Sequence, residues 1–297
     1  MATDKPLHHV ITAQDLQRWR QWAQAQAIAT NIPAEEVDWF LLGLTTVDRL
    51  SLRLGIRDAV HSQVSLVELS QLWERRCQEK IPVQYLVGKT PWRNFELIVS
   101  PAVLIPRPET EYLIDLARTS PTHLHAGHWV DLGTGSGAIA LGLADSFPTA
   151  TIHAVDQSAA ALEVARKNAI AYGLQDRIQF YQGSWWEPLQ HLRGQVAGMV
   201  SNPPYIPSAL LPDLQPEVFR HEPPSALDGG RDGLADLRIL VNEAPAYLVA
   251  GGIWLVELMR GQGEAVAQLL AENGHYTQIK VIEDFAGGDR YVWAQRR

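Results

Sequence analysis

Two short stretches hold residues whose types and spacing suit group-transfer chemistry. The first is Asp131-Leu-Gly-Thr-Gly-Ser-Gly-Ala-Ile-Ala140, with Gly133, Thr134, Gly135, Ser136 and Gly137 at its centre. Glycines so spaced let a backbone turn tightly and approach a ligand without Cβ clashes. Asp156 follows about twenty residues later, where a carboxylate can accept hydrogen bonds from ribose hydroxyls. Together they predict a nucleoside cofactor. A dinucleotide pyrophosphate would want a G-x-G-x-x-G turn at a helix N-terminus. Here the spacing is G-x-G-x-G and an acid, Asp131, precedes it. An acid there repels phosphate and attracts an ammonium or a sulfonium. The loop therefore favours S-adenosyl-L-methionine over a dinucleotide, unless Asp131 merely ties down loop N–H groups.

The second stretch is Ser201-Asn-Pro-Pro-Tyr205. Its two prolines fix φ and donate no N–H, and they bias the residues before them away from helix. Carbonyls at Asn202 and Pro203 can then be held toward a cleft. Methylating an amide or amino-arene nitrogen requires access to a lone pair delocalised into a π-system. Such an NH2 presents two donors. The Asn202 side-chain oxygen and the Pro203 carbonyl can accept both, and Tyr205 can pack its ring on the planar group. No strong base is needed, because the proton can leave once the nitrogen is cationic. Proline dipeptides also mark ordinary turns, so the motif depends on its position.

The elements around these stretches set that position. From His128 onward strands alternate with helices. Strands are expected at Trp129–Leu132, Thr151–Val155, Ile178–Tyr181, Val196–Val200 and Ile253–Leu258, with helices at Ala138–Ser146, Ala159–Tyr172, Leu237–Leu248 and Glu264–Asn273. Tyr276–Glu283 and Arg290–Gln295 read as a closing antiparallel pair. This is an α/β pattern with a mostly parallel sheet, whose ligands sit at the carboxyl ends of the strands. Both stretches leave such ends. Before them, Ala13–Ala29, Pro33–Leu54 and Leu66–Lys80 carry apolar residues at helical spacing, and Ile81–Pro106 reads as a connector with a short hairpin at Phe95–Val99.

The chain has 297 residues, 33 acidic against 25 Lys and Arg, and a net charge of −8. Hydrophobic residues make up 46%, which excludes global disorder. The acidic balance disfavours a large nucleic-acid footprint. A single cysteine, Cys77, excludes an internal disulfide framework and reads as a packed thiol. No apolar run approaches a membrane span and no signal-peptide plan opens the chain, so a cytoplasmic location without membrane contact is expected. His123, His125 and His128 lack an acidic or Cys neighbour and read as a solvated loop; no metal site is expected. Arg75 and Arg76 read as a solvated face.

The sequence resembles the HemK/PrmC family, the protein-(glutamine-N5) methyltransferases of peptide chain release factors. The resemblance covers most of the chain. It runs through Pro82–Gly88, Val103-Leu-Ile-Pro-Arg-Pro-Glu-Thr-Glu111, Asp131–Ala140, Asn202–Ile206, His221-Glu-Pro-Pro-Ser-Ala-Leu-Asp-Gly-Gly-Arg-Asp-Gly233 and Asp284–Arg290. The tetrapeptide is shared with adenine-amino methyltransferases; the Arg107–Glu111 and His221–Gly233 stretches are more specific. The resemblance implies a Rossmann-like class I methyltransferase sheet with an antiparallel last strand. It implies a helical N-terminal substrate-recognition domain over 1–85, a hairpin connector over 86–110 and the catalytic domain over 111–297. Its substrate is the glutamine of the Gly-Gly-Gln loop of release factors and its cofactor S-adenosyl-L-methionine; separately, a monomer without a direct sequence-specific nucleic-acid partner is expected. By the same resemblance Gly133–Gly137, Asp156, Trp185 and Asn202 bind the cofactor. Asn202, Pro203, Pro204 and Tyr205 hold the glutamine, with Asn202, Pro203 and Tyr205 catalytic. A sibling that methylates ribosomal-protein glutamine and an adenine-amino enzyme are the alternatives. Two positions depart from the family pattern: Ser184 stands where an acid is usual, and Met259 where glycine is usual. Arg107, Glu109 and Glu111 either orient substrate, brace the cleft or start a helix. The long connection Ile206–Gly233 is expected on the substrate side.

Overall fold

The computed structural model describes residues 7–297. They divide into two compact units. One holds the described residues up to Lys89 together with Gln215–His221; the other holds Thr90–Leu214 and Glu222–Arg297.

The first unit is mainly helical. Its elements are β1 (His9–Ile11), α1 (Ala13–Ala29), α2 (Glu35–Leu44), α3 (Arg49–Leu54), β2 (Val60–Ser62), α4 (Leu66–Glu79) and α5 (Val83–Val87). Trp19, Phe40 and Trp73 form its aromatic centre, with Trp19 stacked on Phe40 at 6.0 Å. The Ser65–Glu68 capping box starts α4, each side chain satisfying the other's backbone N–H. The single segment expected over Pro33–Leu54 is two helices. Thr45 turns extended and its hydroxyl caps the Leu41 carbonyl at 2.8 Å, then Asp48 accepts from the Ser51 N–H at 2.7 Å to start α3. Strands β1 and β2 pair antiparallel; at three residues each they are too short for alternation to reveal.

The second unit opens with β3 (Lys89–Trp92) and β4 (Phe95–Ile98), which form a two-stranded sheet, and α6 (Glu111–Arg118). Next come β5 (His128–Leu132), α7 (Ala138–Ser146), β6 (Thr151–Asp156), α8 (Ala159–Ala171), β7 (Ile178–Gln182) and β8 (Val196–Ser201). After β8 the chain passes through a 3₁₀ turn at Ser208–Asp213, α9 (Pro216–His221) and a second turn at Pro224–Ala226. It then continues through α10 (Ala235–Glu243), β9 (Leu248–Glu257), α11 (Gly263–Asn273), β10 (Tyr276–Glu283) and β11 (Asp289–Arg296). The seven-stranded sheet runs β10-β11-β9-β8-β5-β6-β7, and β11 alone runs antiparallel to the other six. This Rossmann-like order matches the expected parallel sheet with an antiparallel last strand. Every residue of β8 is buried, as a strand covered on both faces requires.

Helix α9 belongs to the helical unit, and a buried cation holds it there. Arg76 donates to both Glu36 carboxylate oxygens at 2.7 and 3.0 Å and to Glu217 at 3.0 Å. The expectation of a solvated face is thus corrected for Arg76, which is 3% exposed. His221 also contacts the Glu79 carbonyl at 2.7 Å.

Candidate active site

The sheet register brings the two chemical stretches to one edge. Leu132 at the end of β5 pairs with Val155 on one side and Ser201 on the other. The glycine loop, Asp156 and Asn202 therefore leave three adjacent strands together, where the chain order reverses. The Gly133 and Thr134 N–H groups both donate to the Val155 carbonyl at 2.9 Å, and the Ser201 hydroxyl donates to Leu132 at 2.6 Å. These bonds fix the loop against β6 and β8.

A cavity of ≈ 430 Å³ opens at this edge. Of the sequence-predicted residues, Gly133, Gly135, Asp156, Trp185, Asn202 and Pro204 line it. Gly135 has φ +53, and a Cβ there would meet no atom within 4 Å, so the loop leaves open space on the cavity side. Asp156 accepts from the Gly135 N–H at 2.9 Å through one oxygen and from the Ser158 N–H at 2.8 Å through the other. Burial raises its pKa while these two N–H groups lower it. Each oxygen retains a lone pair for a ligand donor. Trp185 holds φ +48, a strained value for so bulky a side chain, and its ring lies against Gly133.

Thr134, Ser136, Gly137, Pro203 and Tyr205 are not among the cavity-lining residues. Thr134 and Ser136 are buried within the loop. The Thr134 hydroxyl donates to Asp131 at 2.5 Å, and the Ser136 carbonyl accepts from Asn168 at 2.9 Å. Gly137, at φ +85, is the N-cap of α7. Asp131 is fully buried and also accepts from the Ala140 N–H at 3.0 Å, which makes it a loop tie. Its second oxygen has no partner among the described residues. Burial, with the charge of Asp156 adding, pushes its pKa up to about 7.

The tetrapeptide is braced from beneath by residues whose part sequence reasoning missed. The Asn202 Nδ2 donates to Thr110 Oγ1 at 3.2 Å, and Thr110 Oγ1 donates to Glu257 Oε2 at 2.7 Å. The Tyr205 hydroxyl donates to Glu257 Oε1 at 3.2 Å. Glu257 is 1% exposed, and burial pushes its pKa up to about 7 against the Thr110 hydrogen bond and the Arg290 charge. Gln262 donates to the Tyr205 carbonyl at 2.9 Å while accepting from the Met259 N–H at 3.0 Å. Met259 is not in the left-handed region, so the usual glycine is not required there by backbone conformation. Gly233 is: it has φ +75, and a Cβ on it would lie 2.3 Å from the Tyr205 carbonyl oxygen. Arg107 reaches the buried Glu222 at 2.7 Å, the Tyr291 hydroxyl donates to the Glu109 carbonyl at 2.7 Å, and Glu111 accepts from the Arg93 N–H at 2.9 Å. The Arg107–Glu111 stretch thus braces the cleft and starts α6.

Asp236, on α10, also lines the cavity and was not foreseen. Burial raises its pKa, and the neighbouring Trp185 side chain lowers it. It brings an acid to the cavity that Ser184 also lines. No spacing rule connects residue 236 to the glycine loop; only the fold does.

The histidines lie elsewhere. His128 and His153 share a hydrogen bond at 2.9 Å, and His153 contacts the Tyr181 hydroxyl at 3.2 Å. His125 contacts the Ser120 carbonyl at 3.1 Å, so the solvated loop expected for this run is corrected to a hydrogen-bonded one at His125 and His128. Among the described residues no group of three or more His, Cys, Asp or Glu could hold a metal, and no helix is long and apolar enough to cross a membrane. Cys77 is buried, as expected.

A family model described as "Methyltransferase small domain" matches residues 110–219. A release factor glutamine methyltransferase from Synechocystis sp. is 52% identical over 294 residues, 96% of this chain and 97% of its own. One from Thermosynechococcus vestitus is 47% identical over 96% of this chain and 99% of its own, and one from Gloeobacter violaceus 45% identical over 93% and 97%.

Proposed function

As the chain belongs to the release factor glutamine methyltransferase family, we propose that it transfers a methyl group from S-adenosylmethionine to the side-chain amide nitrogen (N5) of the glutamine in the Gly-Gly-Gln loop of a peptide chain release factor. The observation that carries the site assignment is the setting of Asn202. Its Nδ2 is taken by Thr110, and its oxygen has no protein partner among the described residues while the residue lines the cavity.

The cofactor site fits the chain's own residues. Gly135 opens the loop, Asp156 keeps free lone pairs for ribose hydroxyls, and Trp185 offers a ring face beside the Asp236 carboxylate. S-adenosylmethionine supplies a methyl group on a sulfonium. The Asn202 oxygen and the Pro203 carbonyl accept the two N–H donors of the substrate amide and orient its nitrogen. Tyr205 packs on the amide plane from a position fixed by Glu257 and Gln262. The methyl group so supplied would pass to the nitrogen held by Asn202 and Pro203, whose proton would then leave to solvent. Fixed acceptors aimed at the nitrogen favour the charge that develops there. We assign the helical unit to contact with the release factor; Leu50 and Leu54, one turn apart on α3, are 65% and 69% exposed and support such a surface.

The test is methyl transfer from labelled S-adenosylmethionine to purified release factor, beside its loop Gln→Ala variant, a ribosomal-protein mixture and DNA. Label is expected in the factor and not in its variant. Label only in the ribosomal mixture or only in DNA would overturn the assignment. Asn202→Ala is expected to lower kcat about 10²- to 10³-fold with little change in cofactor affinity.

A further inference from the structure

We propose that Thr110 and Glu257 are positioning residues that fix the polarity of the Asn202 side-chain amide, holding its oxygen toward the methyl acceptor. The inference rests on Asn202 being the residue that binds that acceptor. A threonine hydroxyl has one proton to give. In this chain it lies 2.7 Å from Glu257 Oε2, and an ionised carboxylate only accepts. With its proton committed there, Thr110 Oγ1 can only accept from Asn202, 3.2 Å away. The amide edge facing Thr110 must then be the NH2, and the oxygen must face the other way. A flipped amide would set two oxygens against each other.

Burial makes this direction binding. Thr110 is 4% exposed and Glu257 1%, so water does not readily replace either partner. The second Glu257 oxygen receives the Tyr205 hydroxyl at 3.2 Å, so both oxygens act as acceptors. Burial, the largest influence, raises the Glu257 pKa to about 7 and the Glu109 charge adds to this, while the Thr110 and Tyr205 hydrogen bonds and the Arg290 charge favour the anion, which predominates at pH 8. One carboxylate thus sets both the Asn202 oxygen and the Tyr205 ring. An enzyme with the amide reversed would offer an NH2 to an NH2 and would not align a primary amide for transfer. Thr110 comes from the stretch preceding α6 and Glu257 from the end of β9, so neither role is visible in local spacing.

The experiment compares wild type, Asn202→Ala, Thr110→Val, Thr110→Ser and Glu257→Gln at pH 8, with the intact chain and a purified release factor. It reads kcat, KM for the factor, S-adenosylmethionine affinity by calorimetry and melting temperature. Thr110→Val and Glu257→Gln are expected to lower kcat about 10- to 100-fold, with KM and cofactor affinity within about threefold of wild type. Thr110→Ser keeps the hydroxyl and is expected to stay within about threefold of wild-type kcat. Wild-type kcat in Thr110→Val, a Thr110→Ser loss equal to that of Thr110→Val, or a cofactor-affinity loss that accounts for the kcat loss would each overturn the proposal. Should Thr110→Val fail to fold, Thr110→Ser and Glu257→Gln decide it. Full turnover in Asn202→Ala would overturn the reading of Asn202 itself. An impaired Asn202→Ala beside a fully active Thr110→Val would overturn only the positioning role.

Discussion

Asp156 and Asp236 present carboxylates to the same cavity in different states of commitment. Asp156 is held by two backbone N–H groups, so its direction is set before any ligand arrives. Asp156→Ala is expected to weaken S-adenosylmethionine binding at least tenfold by calorimetry, about 1.5–3 kcal/mol for hydrogen bonds to a charged group, while kcat at saturating donor changes little. Asp236 has no such pair of backbone ties among the described residues and lies beside the Trp185 side chain. If it stands in for the acid that Ser184 lacks, Asp236→Ala weakens donor binding several-fold and Ser184→Asp restores it; unchanged affinity in Asp236→Ala would remove it from the site. Residue types exposed the first acid and not the second. Asp156 sits at a fixed interval after a glycine loop, whereas Asp236 reaches the cavity through the packing of a helix some eighty positions later.

Elements were legible where their period was long. The segment Ala13–Ala29 is helical end to end, and the alternation of strands and helices after His128 carries the whole sheet. Legibility failed at short pieces, where hydrogen bonds from side chains decide. Thr45 and Asp48 split the second helical segment, and the five-residue α5 has no room for a period. The adjacent strands β5, β6 and β7 carry a further consequence. His153 on β6 sits between His128 and Tyr181; burial first, then the charges of His128 and His191, pull its pKa down to about 4. Because the folded value lies below the ordinary value of 6.5, the folded state binds fewer protons than the unfolded one as pH falls. Stability is full above pH 6.5 and lost progressively toward pH 4, by ~3 kcal/mol from this group. The raised carboxyls of Asp131 and Glu257 act in the opposite sense. Urea titrations of wild type and His153→Gln at pH 7 and pH 4.5 isolate the histidine; equal losses in both would refute its role.

At the scale of the whole molecule, the chain does not pass from one unit to the other only once. It leaves the helical unit after Lys89, returns with Gln215–His221 and leaves again. Composition gave no sign of this, because the ties are individual polar contacts made far apart in sequence. Arg76 and Glu217 are separated by 141 positions. Arg76→Ala would leave Glu36 and Glu217 facing each other without their cation. A loss of ~3 kcal/mol is expected, read as a lower urea midpoint. A change within experimental error would mean that the two acids find solvent once the arginine is gone.

That return passage makes recombination between relatives a three-piece problem. A chimera joined at residue 89 takes its first segment from one parent and α9 from the other, so the helix meets a foreign Arg76 and a foreign Glu79 carbonyl. Exchange of the helical unit as an inheritable block therefore calls for Gln215–His221 to travel with it. Chimeras that carry both pieces are expected to keep the parental melting temperature, while those that carry the first alone are expected to melt lower. Drift in either piece is constrained by the other, although more than a hundred residues of the other unit separate them in the chain.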